Sequence, residues 1–599
     1  MSLHLRYLLS VALCAFSLTC VTATAATPPK VLRLAFNNAE TGFDPAKIAD
    51  LYSRTITPHI FEGLYTYDHL ARPFKIKPLT AAALPEVSDD FRTWTVRLKP
   101  GIYFQDDPVF KGQKRELVAA DYVYTFKRPI DPANKSPFAS VIEDAGFVGL
   151  AELRDEAVKA KKPFDYDREI EGIRALDRYT IQFKLKQTRP RLIELLASGD
   201  LLGGTAREVI EHYGDDSMAH PVGTGPFKLA QWRRSSLIVL ERNPGYRERF
   251  YDAEPAPDDA DGQAILARLK GKRIPMVDRV EVSIIEEEQP RWLAFLNGDL
   301  DIINVPAAFI GQALPGGKLA PHLAKRGIQL NSSLNADGVY TYFNMDDPMV
   351  GGTEPAQVAL RRALSLSLDV QRLIRVLYRG QGIPAQSLLI PHTSGYDPKF
   401  KSEMGDHDPS RAKALLDLYG FIDRDGDGFR ERPDGSRLSI EVATQRSQFN
   451  RQFDELWKKD FEAVGVRTTF FTGQWSEQLK AAYAGKLQMW TLGGSAASPD
   501  GQDTLIAYYS KQIGSGQNFA RFRHERMDQI YEKTQQLPDG PEREALFREA
   551  KLIGNAYLPY KSLLHRISND LTYAHLIGHR RPLFWNDWYH LVDIDRSAP

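Results

Sequence analysis

Apolar and polar positions alternate along this chain in short bursts, each closed by glycine, proline or aspartate. Val31-Leu32-Arg33-Leu34-Ala35-Phe36 has a period near two and predicts a strand. Trp94-Thr95-Val96-Arg97-Leu98 repeats the pattern and is stopped by Pro100-Gly101; Tyr179 to Leu185 is a third case. Other stretches have the helical period. Behind Asp369, a good N-cap, Val370, Leu373, Ile374 and Leu377 share one face, and Gly380 ends it. Phe453, Leu456, Trp457, Phe461 and Val464 make a second stripe; Gly465 closes it, and Val466 to Phe470 resumes as a strand. Strands and helices that alternate in this way predict a mixed α/β fold. No period of about 20–50 residues recurs, which excludes a solenoid.

The opening residues break this pattern. Arg6, an apolar run from Tyr7 to Leu18 and the small residues Ala23, Ala25 and Ala26 predict a secretory signal peptide over residues 1–26. A membrane anchor needs about 20 apolar residues, more than this run supplies, and Leu18-Thr19 before Cys20 is a poor lipoprotein signal. Both cysteines, Cys14 and Cys20, fall inside the signal. The expected mature protein is periplasmic, has no thiol, and relies on its hydrophobic core rather than on disulfides. At 599 residues the chain should hold two or more domains. Lys+Arg and Asp+Glu both number 77, so no net field points to nucleic acid or an anionic membrane. Aromatic residues are 11% of the chain, enough for a large core or a ring-lined cavity.

Candidate chemistry is sparse. The chain has no GxSxG, HExxH or GxxxxGK[ST] motif, so no enzyme class is indicated. Pro221-Val-Gly-Thr-Gly-Pro-Phe-Lys228 imitates a phosphate loop, but Pro226 lacks the N–H such a cradle needs, and Lys228 to Trp232 reads as a strand. The expectation is a tight turn into a hairpin. His575 and His579 have metal-compatible spacing without an acidic third ligand nearby and are expected on the surface. Glu286-Glu287-Glu288 reads as a solvated loop. The stretch DRDGDGFRERPD places Asp423, Asp425, Asp427 and Asp434 at the acidic positions of a calcium loop, with Gly428 at the turn. A helix from Pro409 ended by Gly420 precedes it and a strand from Leu438 follows, so it is not helix–loop–helix. An Asx- and Gly-rich connection is the preferred reading, with a structural calcium as the alternative.

Val222-Gly-Thr-Gly-Pro-Phe-Lys-Leu-Ala-Gln-Trp232, followed by Leu240-Glu-Arg-Asn-Pro-Gly-Tyr246, resembles the signature of the bacterial extracellular solute-binding proteins of family 5, the oligopeptide- and dipeptide-binding proteins of ABC importers. Further landmarks fall in the family's order: Phe43-Asp44-Pro45 with Ile60 to Leu64, Thr93 to Gly101, Ala120 to Arg128, Ser136 to Ser140, Tyr342-Phe343-Asn344, and Leu360 to Asp369. The resemblance implies a two-lobed periplasmic-binding-protein (Venus-flytrap) fold with an extra subdomain in the first lobe. Lobe I would take residues 27–310 with an insert at about 71–200, lobe II 311–554, and 555–599 would return to lobe I.

The resemblance further implies binding rather than catalysis: a periplasmic component that captures peptide-like ligands between its lobes and delivers them to transmembrane permease subunits. A monomer with no cofactor and no nucleic-acid partner is expected. Carried over residue by residue, Glu40 and Thr41 stand at the ligand end of the first strand, Phe138 and Trp475 at cleft aromatics, and Gly494 and Ser495 at main-chain positions that pair with a peptide. Ala497 stands where peptide-binding members carry an aspartate for the ligand's free amine; the nearest acids are Asp500 and Asp503. The alternatives are a non-peptide cargo such as a glycoside or a metal chelate in the same role, or a calcium-binding secreted scaffold.

Overall fold

The structure, a computed structural model, describes residues 28–599 except Ala497, Ser515, Trp585, Arg596, Ala598 and Pro599. The expected signal segment 1–26 therefore lies outside the described residues. Val31–Phe36 forms the predicted strand and pairs in parallel with Arg279–Ile284. Leu237–Arg242 and Phe227–Arg233 extend this sheet antiparallel, as a hairpin. Ile238, Val239 and Leu240 are all buried, the signature of a strand covered on both faces.

The glycine-rich turn before the hairpin holds no phosphate cradle. It lies against the backbone of residues 59–61: a Cβ on Gly223 would stand 2.0 Å from the Ile60 carbonyl oxygen, and one on Gly225 2.5 Å from that of His59. Gly225 N–H donates to Ile60 O at 2.8 Å, and Thr224 Oγ1 donates to Glu62 at 3.0 Å. Only glycine permits that approach.

A separate four-stranded sheet is inserted in this lobe. Glu86–Val87, Thr93–Arg97, Thr180–Lys184 and Ile173–Asp177 are adjacent in that order. Trp94 and Val96 turn inward opposite Phe183 and Ile181, as strict alternation requires. The core of this unit runs from Ala81 to Val222 and also takes in Ile48, Leu64 and Tyr65.

One mixed sheet runs from the first lobe into the second in the order Ile302–Asn304, Tyr560–Tyr573, Asp337–Phe343, Met489–Ser495, Ser439–Gln445, Arg467–Gly473. The last three strands are parallel, joined by helices Gln448–Glu462 and Trp475–Tyr483. The predicted stripe is buried: Phe453 and Trp457 stack with ring centroids 5.2 Å apart, and Trp457 meets Phe461 edge-on at 5.4 Å. Asp369 caps its helix by accepting from Arg372 N–H at 2.8 Å.

Tyr560–Tyr573, 14 residues long, passes from one lobe to the other. Leu563 and Leu564 sit in the second-lobe core, whereas Leu571 and Tyr573 pack with Trp292 and Phe295. Ile328–Leu334 runs antiparallel beside its far half, from Ile328↔Tyr573 to Leu334↔Ile567. This corrects the expected boundary. Residues 311–334 do not belong with the second lobe: Ala313, Leu314, Leu323 and Ile328 bury their side chains against Trp292, Phe295 and Leu571. The chain enters the second lobe near residue 335 and leaves it near 566. No helix among the described residues is long and apolar enough to cross a membrane.

Two further expectations are corrected. His575 and His579 are not free surface residues. His575 Nε2 lies 2.7 Å from Asp301, and His579 is buried with Nε2 3.1 Å from Asp570. In the acidic loop the set Asp423, Asp425, Asp427, Asp434 does not converge. Asp423, Asp425 and Glu431 bring ligand atoms within 4.8 Å of one another. Asp427 instead pairs with Arg467 and accepts from Phe429 N–H, and Asp434 accepts from Ser436.

Candidate functional site

The three parallel strands of the second lobe have their carboxyl ends on one side of the sheet, at Gln445, Gly473 and Ser495, and by register the last of them overshoots its neighbour, whose end at Gln445 is level with Leu492. Carboxyl ends of parallel strands are where α/β sheets place their ligands, because the crossover helices begin there and leave a crevice. Trp475 opens the helix after one of these ends and is 54% exposed, large for a tryptophan.

Met489–Ser495 pairs along its whole length with Asp337–Phe343, but with its parallel neighbour only at Met489 and Trp490. Its last five residues therefore have one open edge. Ala496 N–H donates to Ala336 O at 2.9 Å. In an antiparallel ladder alternate residues face the same partner, so Gly494 and Leu492 also turn their backbone groups towards Asp337–Phe343. Gly493 and Ser495 turn theirs to the open edge. Of the two residues expected to offer main chain to a ligand, Gly494 thus faces its ladder partner and Ser495 faces outward, as does Gly493. Gly494 is useful differently: a Cβ there would meet nothing within 4 Å, so the strand presents a bare surface.

Beyond the open edge lies the seam with the first lobe. Asp500 is 6% exposed and is not free to receive a ligand's amine. Arg191, reaching across from the first lobe, donates from Nε to its Oδ2 at 2.5 Å, and Arg543 of the second lobe pairs with Oδ1, to which Ser394 Oγ also donates at 3.0 Å. Burial alone would raise the Asp500 carboxyl; the two guanidiniums outweigh it and hold it below the usual range. Arg191 continues to the carbonyls of Leu537 at 2.8 Å and Thr534 at 2.7 Å, at the end of helix Glu525–Gln536. Cations are favoured there, where helix carbonyls lack partners.

Two further carboxylates face this seam. Glu194 stands one turn after Arg191 in the short helix Leu192–Leu196, and Asp503 lies just after Asp500 in the short second-lobe helix Gln502–Leu505. Glu194 is half-buried and Asp503 is exposed to solvent. Desolvation, reinforced by the charge of Asp500, pushes it up to about 6 even though Ser498 Oγ donates to it at 2.8 Å. Glu194 is raised well above its ordinary value by burial and by the charges of Asp500 and Asp503. Tyr67 of the first lobe senses the same field: burial, then Glu194, Asp503 and Asp200, raises its phenol.

The remaining expected residues fall elsewhere on the first lobe. Glu40 is buried; Oε1 accepts from Trp232 Nε1 at 2.5 Å and from Ser235 N–H at 3.3 Å, and Oε2 has no partner. Thr41 is exposed and tied by its hydroxyl to Asp50 at 2.5 Å. Phe138 leans half-buried on the insert core. Ala497 lies outside the described residues. Sequence reasoning missed Arg191, Glu194 and Arg543, because nothing local marks an arginine whose partner lies 309 residues away.

The sequence profile described as bacterial extracellular solute-binding proteins, family 5 Middle, matches residues 75–516. The "Di/tripeptide-binding protein 2" of Pseudomonas aeruginosa is 25% identical, over 96% of each chain. The "Heme-binding protein A" of Haemophilus influenzae is 23% identical, over 93% of this chain and 91% of its own. Among solved structures, the periplasmic binding protein DppA of Helicobacter pylori in complex with the peptide STSA superposes with a TM-score of 0.69 at 22% identity, over 94% of this chain and 98% of that one.

Proposed function

We propose, from the premise that this chain belongs to the bacterial extracellular solute-binding proteins of family 5, that it captures a peptide-like ligand between its two lobes in the periplasm and hands it to the permease of an ABC importer. Binding, not turnover, is its activity in this reading. The observation that carries it is the open backbone edge at Gly493 and Ser495, at the carboxyl ends of the parallel strands and beside the seam. An extended peptide can add there as a strand, with main-chain hydrogen bonds supplying affinity regardless of side chains. Closure follows if the ligand contacts both lobes, since only differential affinity for the closed state shifts the balance.

Calorimetry of short peptides against the cargo-stripped protein tests this. Di- to pentapeptides should bind, and Gly493→Pro should weaken them by removing one outward N–H. Absence of binding by every such peptide would refute the peptide assignment. A second reading, a compact non-peptide cargo such as a metal chelate, is favoured by the heme-binding relative and by the commitment of Asp500 to arginines. Under that reading Gly493→Pro leaves affinity unchanged, and mass spectrometry of cargo co-purified from the native host identifies it.

A further inference from the structure

We propose that a polar cavity of about 220 Å³ inside the first lobe binds a small zwitterion of the α-amino acid class, with Lys99 and Arg249 taking its carboxylate and Asp587 its ammonium. The cavity lies where strands Tyr65–Tyr67 and Ile76–Pro78 meet the loop 249–253 and the C-terminal segment 587–591. One water needs about 10–15 Å³ of such space, so there is room for a solute of several non-hydrogen atoms. Every lining residue belongs to the first lobe, so the site exists whether the lobes are open or closed.

The charged groups on its wall divide into satisfied and unsatisfied ones. Glu62 accepts from Arg247 Nη2, Tyr246 Oη and Thr224 Oγ1, each at 3.0 Å. Asp68 accepts from Leu70 and Ala71 N–H at 2.9 Å, and Lys77 is shared between Asp68 at 3.3 Å and Asp252 at 3.1 Å. Three groups are left over. Lys99, half-buried, donates from Nζ to one partner among the described residues, Leu79 O at 3.1 Å, and Arg247 Nη2 crowds the same carbonyl at 3.4 Å. Arg249, also half-buried, donates from its side chain only to Tyr246 Oη, at 2.8 Å, among the described residues, with Glu62 3.8 Å away. Asp587 accepts from Thr66 Oγ1 at 3.1 Å on Oδ2, and its buried Oδ1 has no partner.

These leftovers have opposite signs and do not neutralise one another: among the described residues neither Lys99 nor Asp587 forms an ion pair. A plain anion would meet Asp587, and a plain cation would meet Lys99 and Arg249. A solute with both charges satisfies both poles, and buried charges call for such partners. Burial pushes the Asp587 carboxyl up to about 6, and burial with the charges of Arg247 and Arg249 holds the Lys99 ammonium below its ordinary value. A bound ammonium and a bound carboxylate oppose both shifts. His69 and His590, both buried, complete the lining as neutral imidazoles, with Nε2 and Nδ1 respectively free of partners. A metal ion is a poorer occupant, because among the described residues no three histidine or carboxylate ligand atoms of this wall lie within 4.8 Å of one another.

Calorimetry on the full mature chain, stripped of cargo, tests this with L-alanine as the probe. Alanine should bind, and N-acetylalanine and alaninamide, each short of one charge, should bind about 10- to 150-fold more weakly. Lys99→Gln and Asp587→Asn should each weaken alanine by a similar factor. Small-angle scattering should give one radius of gyration with and without alanine, since a ligand held within one lobe does not discriminate open from closed. No binding of alanine at millimolar concentration means that the cavity holds only water, and overturns the site. Equal binding of alanine and its blocked forms, or alanine binding unaltered in both variants, overturns it too, and a smaller radius places alanine between the lobes instead. If Asp587→Asn does not fold, Lys99→Gln and the blocked probes decide. The cavity shares no residue with the strand edge at Gly493 and Ser495, so its failure leaves the proposed transport role standing.

Discussion

Two aspartate-rich stretches of the second lobe, 423–434 and 500–503, look alike in sequence and behave oppositely in the fold. In the first, Asp423 accepts from Gly426 and Gly428 N–H at 2.7 and 2.9 Å, and Asp425 from Asp427 N–H at 3.2 Å. The glycines at 426 and 428 adopt positive φ, and apart from the pair of Asp427 with Arg467 these carboxylates are satisfied within a few residues. In the second, Asp500 takes its partners from residues 191, 394 and 543, and water is largely removed. A carboxylate among its own backbone amides in water contributes little to stability; the same group desolvated between guanidiniums cannot be removed without stranding them.

The largest expected effect breaks that comparison directly. Asp500→Ala leaves the buried Arg543 with only the exposed Asp539 as counter-charge and should cost about 3 kcal/mol of unfolding free energy. Asp425→Ala, on the exposed loop, should stay within about 0.5 kcal/mol. Chemical denaturation of the two variants side by side measures both, and equal effects would show that burial is not what separates them.

Acid provides a second cut. Asp44 is buried beside Arg128, whose two amino groups donate at 2.7 and 2.8 Å, with Ser217 Oγ at 2.7 Å. Burial would raise this carboxyl, and Arg128 more than offsets it, holding it below its ordinary value. A depressed folded-state value means its stabilisation is present above about pH 4 and is lost as the pH falls through that lower value. Wild-type stability should therefore drop steeply below about pH 4, and less steeply when Asp44→Asn is combined with Arg128→Met. A slope unchanged in the double variant would remove Asp44 from the account of acid unfolding.

The strand edge allows a finer test. Gly493→Pro should reduce peptide affinity by about 2- to 12-fold, the worth of one hydrogen bond, at little cost in melting temperature, since its N–H faces no partner strand. Leu492→Pro removes a ladder bond and should lower the melting temperature instead. Reversal of the two results would mean that the open-edge residues are the even-numbered ones.

The smallest expected effect concerns the acidic loop. Calcium takes six to eight oxygens, and Asp423, Asp425 and Glu431 already accept backbone N–H groups, Glu431 from Arg424 at 2.7 Å. Adding a chelator should shift the melting temperature by less than about 1 °C and leave peptide affinity unchanged. A larger shift, abolished by Asp425→Ala, would establish a structural ion there.

Local periodicity alone determined the strand Val31–Phe36, the capped helix after Asp369 and the aromatic stripe Phe453–Trp457–Phe461. It did so because alternation and caps are readable within a few residues of one another. The run of landmarks around Val222–Trp232 also implied the two-lobed fold, through its resemblance to the family, and the turn's glycines are required where it lies on Ile60. Tertiary structure alone decided where the lobes change over, because the few apolar residues within 311–334 could be buried in either lobe and only the packing of Ile328 beside Tyr573 chooses. It likewise decided that His579 is buried against Asp570, that Gly493 rather than Gly494 faces the open edge, and that Asp500 belongs to Arg191. Each of these depends on which distant segment arrives, and a charge or a backbone parity has no preference until its partner is in place.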